Sequence, residues 1–578
     1  MAISDKAKKI VRRIFRIAIT IVLVILGIIL LVLVLIQTGP VQNYGRGKIE
    51  AWLENKLHTK VRIGNLYIGF PSRIILKNIY LEDRRKDTLI SGGRIEVGIS
   101  MLKLFSREVQ INNLELDDIT CKVRRQLPDS VFNFQFIADA FSSGTTPQKA
   151  DSSAGFHFII GTVHLHRVHA VYYDDASGND VNVYLGDFKT KLKTFDPTHQ
   201  FYAIQNIALT DISGNVRQYK PILLLQHVAD TISEHNKNSD PIKLDLDNID
   251  FTHMNLDYRN EEKNMNAGIR LGSFHTKADS IDLATFHIKL HQIALNNTFA
   301  IVRLGKLTTV KTKQLAAKKD TVVRAGSWNI QVAAFNIDNT QVQYDDDNKV
   351  AVKKGIDYNH LQVNHLNVYT SDLQADPDRY QGNITKISFD EKSGLVLRRL
   401  STRVLYNSAG ASLKDLVIQT NNSEIKNQTS LKYKSLDDLK RHPGDMVTNL
   451  EFNRSRIAVK DILIFVPSLE GKLKENRNAV LLLNGKLTGL LKDLRIPYLE
   501  IAGVGNTSLT ASGSIKGLPD AKKAYYDITI SELKTSRKDL SRMIPAKSYP
   551  DNLQLPEKIA VKGKFRGTVS SFFVDLHA

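Results

Sequence analysis

Val163-His164-Leu165-His166-Arg167-Val168-His169-Ala170-Val171-Tyr172 alternates apolar and polar side chains, stumbles at His166-Arg167, then resumes. Period-two alternation marks a half-buried strand, with one wet face and one apolar face. The stumble breaks the parity. A straight strand would turn Val168, Ala170 and Tyr172 outward, so a bulge or tight kink is expected to return them to the first face. The same template recurs at Ile249-Phe251-Met254-Leu256-Tyr258 and at Phe335-Ile337-Thr340-Val342-Tyr344, 86 residues apart each time. Partial copies lie at Leu114-Leu116-Ile119-Cys121-Val123, Ile207-Leu209-Ile212-Gly214-Val216 and Ile293-Leu295-Thr298-Ala300-Val302, with looser ones from Leu395 and Leu450. The spacing predicts a unit of about 43 residues paired into 86. The gap residues are polar, among them Asp117-Asp118, Thr252-His253, Asn296-Asn297 and Asp338-Asn339.

Other stretches agree. Phe188, Thr190, Leu192 and Thr194 interleave with Lys189, Lys191 and Lys193, and Ile559, Val561, Gly563, Phe565 and Gly567 alternate near the end. Gly485-Lys486-Leu487-Thr488-Gly489 recurs as Gly513-Ser514-Ile515-Lys516-Gly517 and Gly563-Lys564-Phe565-Arg566-Gly567, where strand glycines mark bends or close backbone approach. The expected fold is mostly β: a long, twisted antiparallel sheet built from repeats and curved by its bulges. Short helices are expected at Asp129–Phe141, Leu436–Arg441, Asp461–Phe465 and Leu540–Ile544.

The N-terminal region has a different character. Ile17 to Ile36 carries no charge and one polar side chain, Thr20. As a helix it would be about 30 Å long, the thickness of a bilayer's hydrocarbon core. Ile17, Leu23, Leu26, Leu30, Leu33 and Ile36 are its candidate anchor residues. Residues 1–16 form a basic leader, with Lys6, Lys8, Lys9, Arg12, Arg13 and Arg16 against Asp5. That excess predicts a cytoplasmic N-terminus and an extracytoplasmic chain from Gln37 onward. The apolar run is too long for a secretory signal and no Ala-x-Ala follows it, so an uncleaved signal anchor is expected. Residues 37–60 read as a juxtamembrane amphipathic helix, with Ile49, Trp52, Leu53 and Leu57 on one face. It would either rest on the membrane surface or cap the first strands. Residues 61–578 form the repetitive β region.

The formal charge is +19. The leader holds +5 of it, leaving +14 for the exported part. No nucleic-acid recognition motif accompanies that charge, so attraction to anionic headgroups suits a tethered chain better. The lone cysteine, Cys121, cannot close an intrachain disulfide and sits at an apolar position of the template. Export without disulfides points to a bacterial periplasm.

Candidate chemistry is sparse. His157, His164, His166 and His169 invite a metal reading, but the repeat aligns His164 with Asp250 and Asn336, and His166 with Thr252 and Asp338. These are polar template positions, so a solvated face and no metal site is expected; zinc needs three or four converging ligands. Asp174-Asp175 with Asp180, and Asp345-Asp346-Asp347, read as acidic hairpin tips rather than calcium loops. No nucleophile elbow, phosphate-binding loop, dinucleotide fingerprint or His-Glu-x-x-His motif occurs. Neither an enzyme nor a cofactor is expected.

Several ordered segments carry a family resemblance: Ala51-Trp52-Leu53-Glu54-Asn55-Lys56-Leu57, Val61 to Ile68, Leu81-Glu82-Asp83-Arg84, Pro128 to Phe134, Gly513 to Asp520 and Leu555 to Ile559. Together with the anchor, they resemble the AsmA/TamB family of bacterial envelope proteins in its Bacteroidetes-like form. The resemblance implies a β-groove related to chorein-type lipid-transfer proteins. The protein would be anchored in the inner membrane with its bulk in the periplasm, and would carry phospholipid toward the outer membrane, with a BamA-type barrel as a candidate partner. The candidate groove wall is Leu165, Ala170, Phe251, Leu256, Ile337 and Val342; a closed sandwich core is the competing reading of the same positions. The functional alternative is an assembly or translocation factor for outer-membrane proteins. Phe572-Phe573-Val574-Asp575-Leu576 lacks the polar cap of a repeat array, and the module that would meet a BamA-type barrel is missing. The expectation is therefore the N-terminal part of a longer protein.

Overall fold

The computed structural model describes residues 5–69, 72–100, 103, 108–127, 131–141, 157–196, 201–219, 243–282, 286–307, 328–543 and 555–577. Strand accounts for 64% of the structure, which establishes the mostly-β fold. The chain divides into two compact units, residues 1–244 and 245–578.

The first unit opens with α1 (Asp5–Ile36). Its segment Ile14–Ile36 is long and apolar enough to cross a bilayer and is unburied by the rest of the protein. Then come α2 (Gly39–Leu57), β1 (Val61–Gly69), β2 (Arg73–Glu82), β3 (Thr88–Ile99), β4 (Glu108–Arg125), α3 (Gln135–Phe141), β5 (His157–Asp174), β6 (Asn179–Asp196) and β7 (Phe201–Gln218). Each strand pairs with the next.

Helix α2 settles the choice left by its sequence: it caps the first strand. A stripe at four-residue spacing, Gln42, Arg46, Glu50 and Glu54, faces the free edge of β1. Glu50 accepts from the Ile63 amide at 2.5 Å and Glu54 from the Val61 amide at 3.2 Å. Arg46 donates to the Ile63 carbonyl at 3.0 Å, and Gln42 to that of Ile68 at 3.4 Å. The helix thus satisfies an edge that would otherwise recruit another chain. Leu53 and Leu57 join Val61, Leu89, Phe136 and Ile137 in a small core, whereas Ile49 and Trp52, placed with them by periodicity, stay exposed.

The second unit contains β8 (Lys243–Asn260), β9 (Met265–Asp282), β10 (His287–Asn296), β11 (Phe299–Leu304), β12 (Asn329–Asp346), β13 (His360–Asp376), β14 (Arg379–Glu391), β15 (Val396–Asn407), β16 (Gly410–Thr420), β17 (Glu424–Lys432), α4 (Leu436–Arg441), β18 (Val447–Ala458), α5 (Val459–Phe465), α6 (Glu470–Leu473), β19 (Val480–Leu490), β20 (Asp493–Val504), β21 (Thr507–Lys516), β22 (Tyr525–Ser536), α7 (Arg537–Met543), β23 (Lys558–Gly567) and β24 (Phe572–His577). From β12 onward every described pairing is antiparallel. The α4 helix begins at a Ser435 cap, whose hydroxyl accepts from the Asp438 amide at 3.1 Å.

Three expectations need correction. The sheet is mixed: β4 and β5 run parallel, as do β10–β11 and β12. The reason lies in the second correction. The 86-residue repeat is a trio of long strands (β5–β6–β7, or β8–β9–β10/β11), and the apparent half-copies are the third strand of each trio. An odd number of hairpin-linked strands ends at the far end of the sheet. The connection that follows is long, from Arg125 to His157 or from Leu304 to Asn329, rather than a hairpin, so the next strand starts again from the near end, parallel to its neighbour. Third, α3 starts at Gln135, not Asp129. Asn133 instead clasps the edge of β4, with its amide nitrogen on the Lys122 carbonyl and its oxygen on the Arg124 amide. That side-chain bonding holds the preceding residues out of the helix. Residues 128–130, and Ile544 beyond α7, lie outside the described residues.

Candidate functional site

The predicted kink has a definite backbone form. The second residue of each gap adopts a left-handed conformation: Asp118 (φ 55°), Arg167 (51°), Asp211 (54°), His253 (52°), Asn297 (49°) and Asn339 (46°). Asn78 in β2 and Arg454 in β18 do the same. Most are Asn, Asp or His, the residues that tolerate this region best. The looser copy from Leu395 lacks this conformation, and a register shift at Leu397/Arg399 takes its place.

Kinks align from strand to strand. The middle strand of each trio has no gap but sets a glycine there: Gly186 between Arg167 and Asp211, Gly272 between His253 and Asn297. A Cβ on Gly186 would lie 2.8 Å from both Asp211 Cβ and the Asp211 carbonyl oxygen. At the parallel junctions the kink residues bond each other. Arg167 forks onto Asp118 at 2.7 and 2.8 Å, and Asn339 donates to Asn297 at 2.8 Å. After six of these eight kinks the next residue is driven inward: Ile119, Val168, Ile212, Thr298, Thr340 and Ser455 are buried, while Ile79 and Met254 are half-buried.

Apolar rows run beside this kink line. In the first unit Leu66, Leu76, Ile95, Leu116, Leu165, Phe188 and Leu209 stand in register across seven strands. A second row joins Val61, Leu81, Ile90, Cys121, Ala170 and Val183. In the second unit Phe251, Phe274, Leu295, Ile337, Val368, Ile387, Leu400, Ile418 and Ile425 form one row. Leu256, Ile269, Ala300, Val342 and Val363 form another. Every proposed wall residue therefore lies in such a row: Leu165 and Ala170 in the first unit, Phe251, Leu256, Ile337 and Val342 in the second. All six are half-buried. Cys121 takes its apolar place, and burial pushes its thiol pKa up.

The acidic tips are occupied by protein donors. Asp174, fully buried, receives a two-pronged bond from Arg125 at 2.7 and 2.6 Å and further bonds from Tyr172 and Ser177. Burial opposes its ionisation, but the bonds from Arg125, Ser177 and Tyr172 outweigh it and hold the carboxyl well below the usual carboxylate range. Asp175 accepts from Tyr219, and Asp347 pairs with Arg303 at 2.9 Å. Asp83 and Asn133, from two of the resemblance segments, meet at 3.0 Å beside a cleft of about 210 Å³ lined by Arg84, Arg85, Arg124 and Phe132. A second cleft, about 470 Å³, is lined by Lys353, Lys354, Lys392, Lys460 and Arg477 against Glu470; no sequence motif pointed to it, because its cations come from segments far apart in the chain.

Of the histidines, His169 bonds Asn182 at 2.7 Å, and the side chain of His157 lies outside the described residues. His164 and His166 converge on Asp187, a residue the sequence reading had not joined to them. No protein-family model matches the chain, and no curated protein matches it either.

Proposed function

We propose that this chain is a membrane-anchored, non-catalytic envelope protein of the AsmA/TamB type. Its apolar rows shelter phospholipid acyl chains on their way between the inner and outer membranes. The supporting observation is the register of those rows: apolar side chains follow one another across many strands, yet all but Val61 and Leu66 of β1 remain half-buried. Each CH₂ withdrawn from water is worth about 0.8 kcal/mol, so a free two-chain lipid faces a barrier of tens of kcal/mol. Contiguous apolar side chains lower that barrier passively while headgroups stay wet. On this reading α1 holds the start of the chain in the inner membrane with the basic leader in the cytoplasm, the β units lie in the periplasm, and an outer-membrane barrel of the BamA type is a candidate partner. The basic cleft around Lys353 and Lys460 suits anionic headgroups.

The test is a photocrosslinking residue at position 256, with bound lipid identified by mass spectrometry, together with Leu256→Asp. The parent should crosslink phospholipid. The variant should stay protease-resistant, because water reaches part of a half-buried site, yet lose lipid movement. An unpaired charge in the lipid path costs several kcal/mol. A protease-sensitive variant, with no lipid crosslinked in the parent, would turn the assignment to the assembly factor for outer-membrane proteins.

A further inference from the structure

We propose that His164, His166 and Asp187 form a binding site for a divalent transition-metal ion of the zinc class. The His-x-His spacing on β5 puts both imidazoles on one face of the strand. Register sets Asp187 of β6 directly opposite His166. One donor atom from each residue lies within 4.8 Å of the other two. His164 Nε2 stands 2.7 Å, and His166 Nδ1 3.5 Å, from the same oxygen, Asp187 Oδ2. In a tetrahedral centre with Zn–N bonds of about 2.0–2.1 Å, neighbouring donors are roughly 3.3 Å apart. Small side-chain torsions therefore bring all three onto one ion.

A separate observation points the same way. His166 Nδ1 is shielded from solvent and makes no hydrogen bond. A shielded nitrogen without a hydrogen bond calls for a further polar partner, and an ion shared with Asp187 would supply one. On β4, Glu115 lies opposite His164 and Asp117 opposite His166. Asp117 is held by Arg167 at 2.7 Å, which leaves Glu115 as the nearest further carboxylate in register. On β6, Lys189 lies opposite His164, with its ammonium 3.0 Å from the other oxygen, Asp187 Oδ1. That lysine is more than half exposed and free to swing away. On β7 the residues opposite Lys189 and Asp187 are Ala208 and Thr210, both uncharged. Three protein donors leave room for water, as in open zinc sites. Two imidazoles and a carboxylate favour zinc, copper or nickel over magnesium or calcium. The corresponding place in the second unit, Asp250 with His275 at 2.5 Å, offers only one pair and serves as a control.

Full-length protein in detergent is titrated calorimetrically with Zn²⁺, and separately with Co²⁺ while its visible spectrum is recorded. The parent should take up one ion saturably and give the intense absorption of low-coordinate cobalt. His164→Gln and His166→Gln should each weaken binding by about 100-fold, at the upper end of what even indirect disturbance of a metal site costs. Lys189→Ala keeps all three donors and should tighten binding. His275→Gln should change nothing. Two results overturn the site: no saturable uptake by the parent, or parent-like binding by His166→Gln.

Discussion

Asp174 shows what one residue contributes to this sheet. Its carboxylate is buried at the β5–β6 tip and tied to Arg125 across the parallel junction. Asp174→Asn leaves the guanidinium largely buried without its counterion and should cost about 3–5 kcal/mol locally. Hydrogen exchange at the 174–179 turn is the measurement; unchanged protection there would contradict the assignment. The pH dependence follows from the lowered folded-state pKa. The stabilisation is present in full above the ordinary carboxylate value of about 4, and is lost as pH falls through that value toward the folded one. The parent should therefore lose protection at this tip on acidification, while Asp174→Asn should lose little more than it has already lost. Asn339 makes the complementary case for backbone. Both Asn339→Val and Asn339→Gly lose the bond to Asn297, but a β-branched residue pays about 1–2 kcal/mol for the left-handed region, so Asn339→Val should destabilise by that much more than Asn339→Gly. Equal effects of the two in a chemical denaturation series would mean that the kink does not depend on conformation at this position.

At the scale of elements, the kinks work because neighbouring strands make room for them. Gly186 sits between two left-handed residues with backbone pressed against its Cα. Gly186→Val should destabilise the β5–β6–β7 trio by about 1–3 kcal/mol through overpacking. A variant as resistant to proteolysis as the parent would show that the strands can spread apart. The α2 stripe is the other device at this scale. Glu50→Ala removes the acceptor of the Ile63 amide. Exchange at that amide should accelerate while the β5–β6 amides keep their protection. Much of this was legible in the sequence: the two-residue gap announced the kink, and the periodicity gave the strand faces. The α2 stripe was equally present, as polar residues four apart, but the apolar residues beside it left a membrane surface and a strand cap both open. The glycines opposite the kinks were not legible, because a single Gly in a strand has many causes and only register shows which neighbour it admits.

For the whole molecule, the apolar run of α1 and its basic flank set one testable expectation. A reporter active only outside the cytoplasm, fused after Ala578, should be active; activity of a cytoplasmic reporter at the same place would reverse the topology. The apolar rows set another. Their side chains are contiguous within each unit and, Val61 and Leu66 apart, half-buried, so detergent-extracted protein should carry phospholipid, whereas a domain with a closed core should carry none.

The sequence by itself determined the mostly-β fold, the apolar N-terminal helix, most of the kink positions and the apolar positions of the repeated template. Each of these depends on the order of side chains along a few turns or strands, where spacing and chemistry act directly. Only the tertiary structure decided that the repeat is a trio with parallel junctions, since spacing along a chain does not say which way the next strand runs. It also decided that His164 and His166 meet Asp187. Aligning the repeats compared each histidine with its counterparts 86 residues away, but a ligand set is made by neighbours across a strand pair. Register is fixed by hairpin geometry and by burial of one face, and those are properties of the assembled sheet.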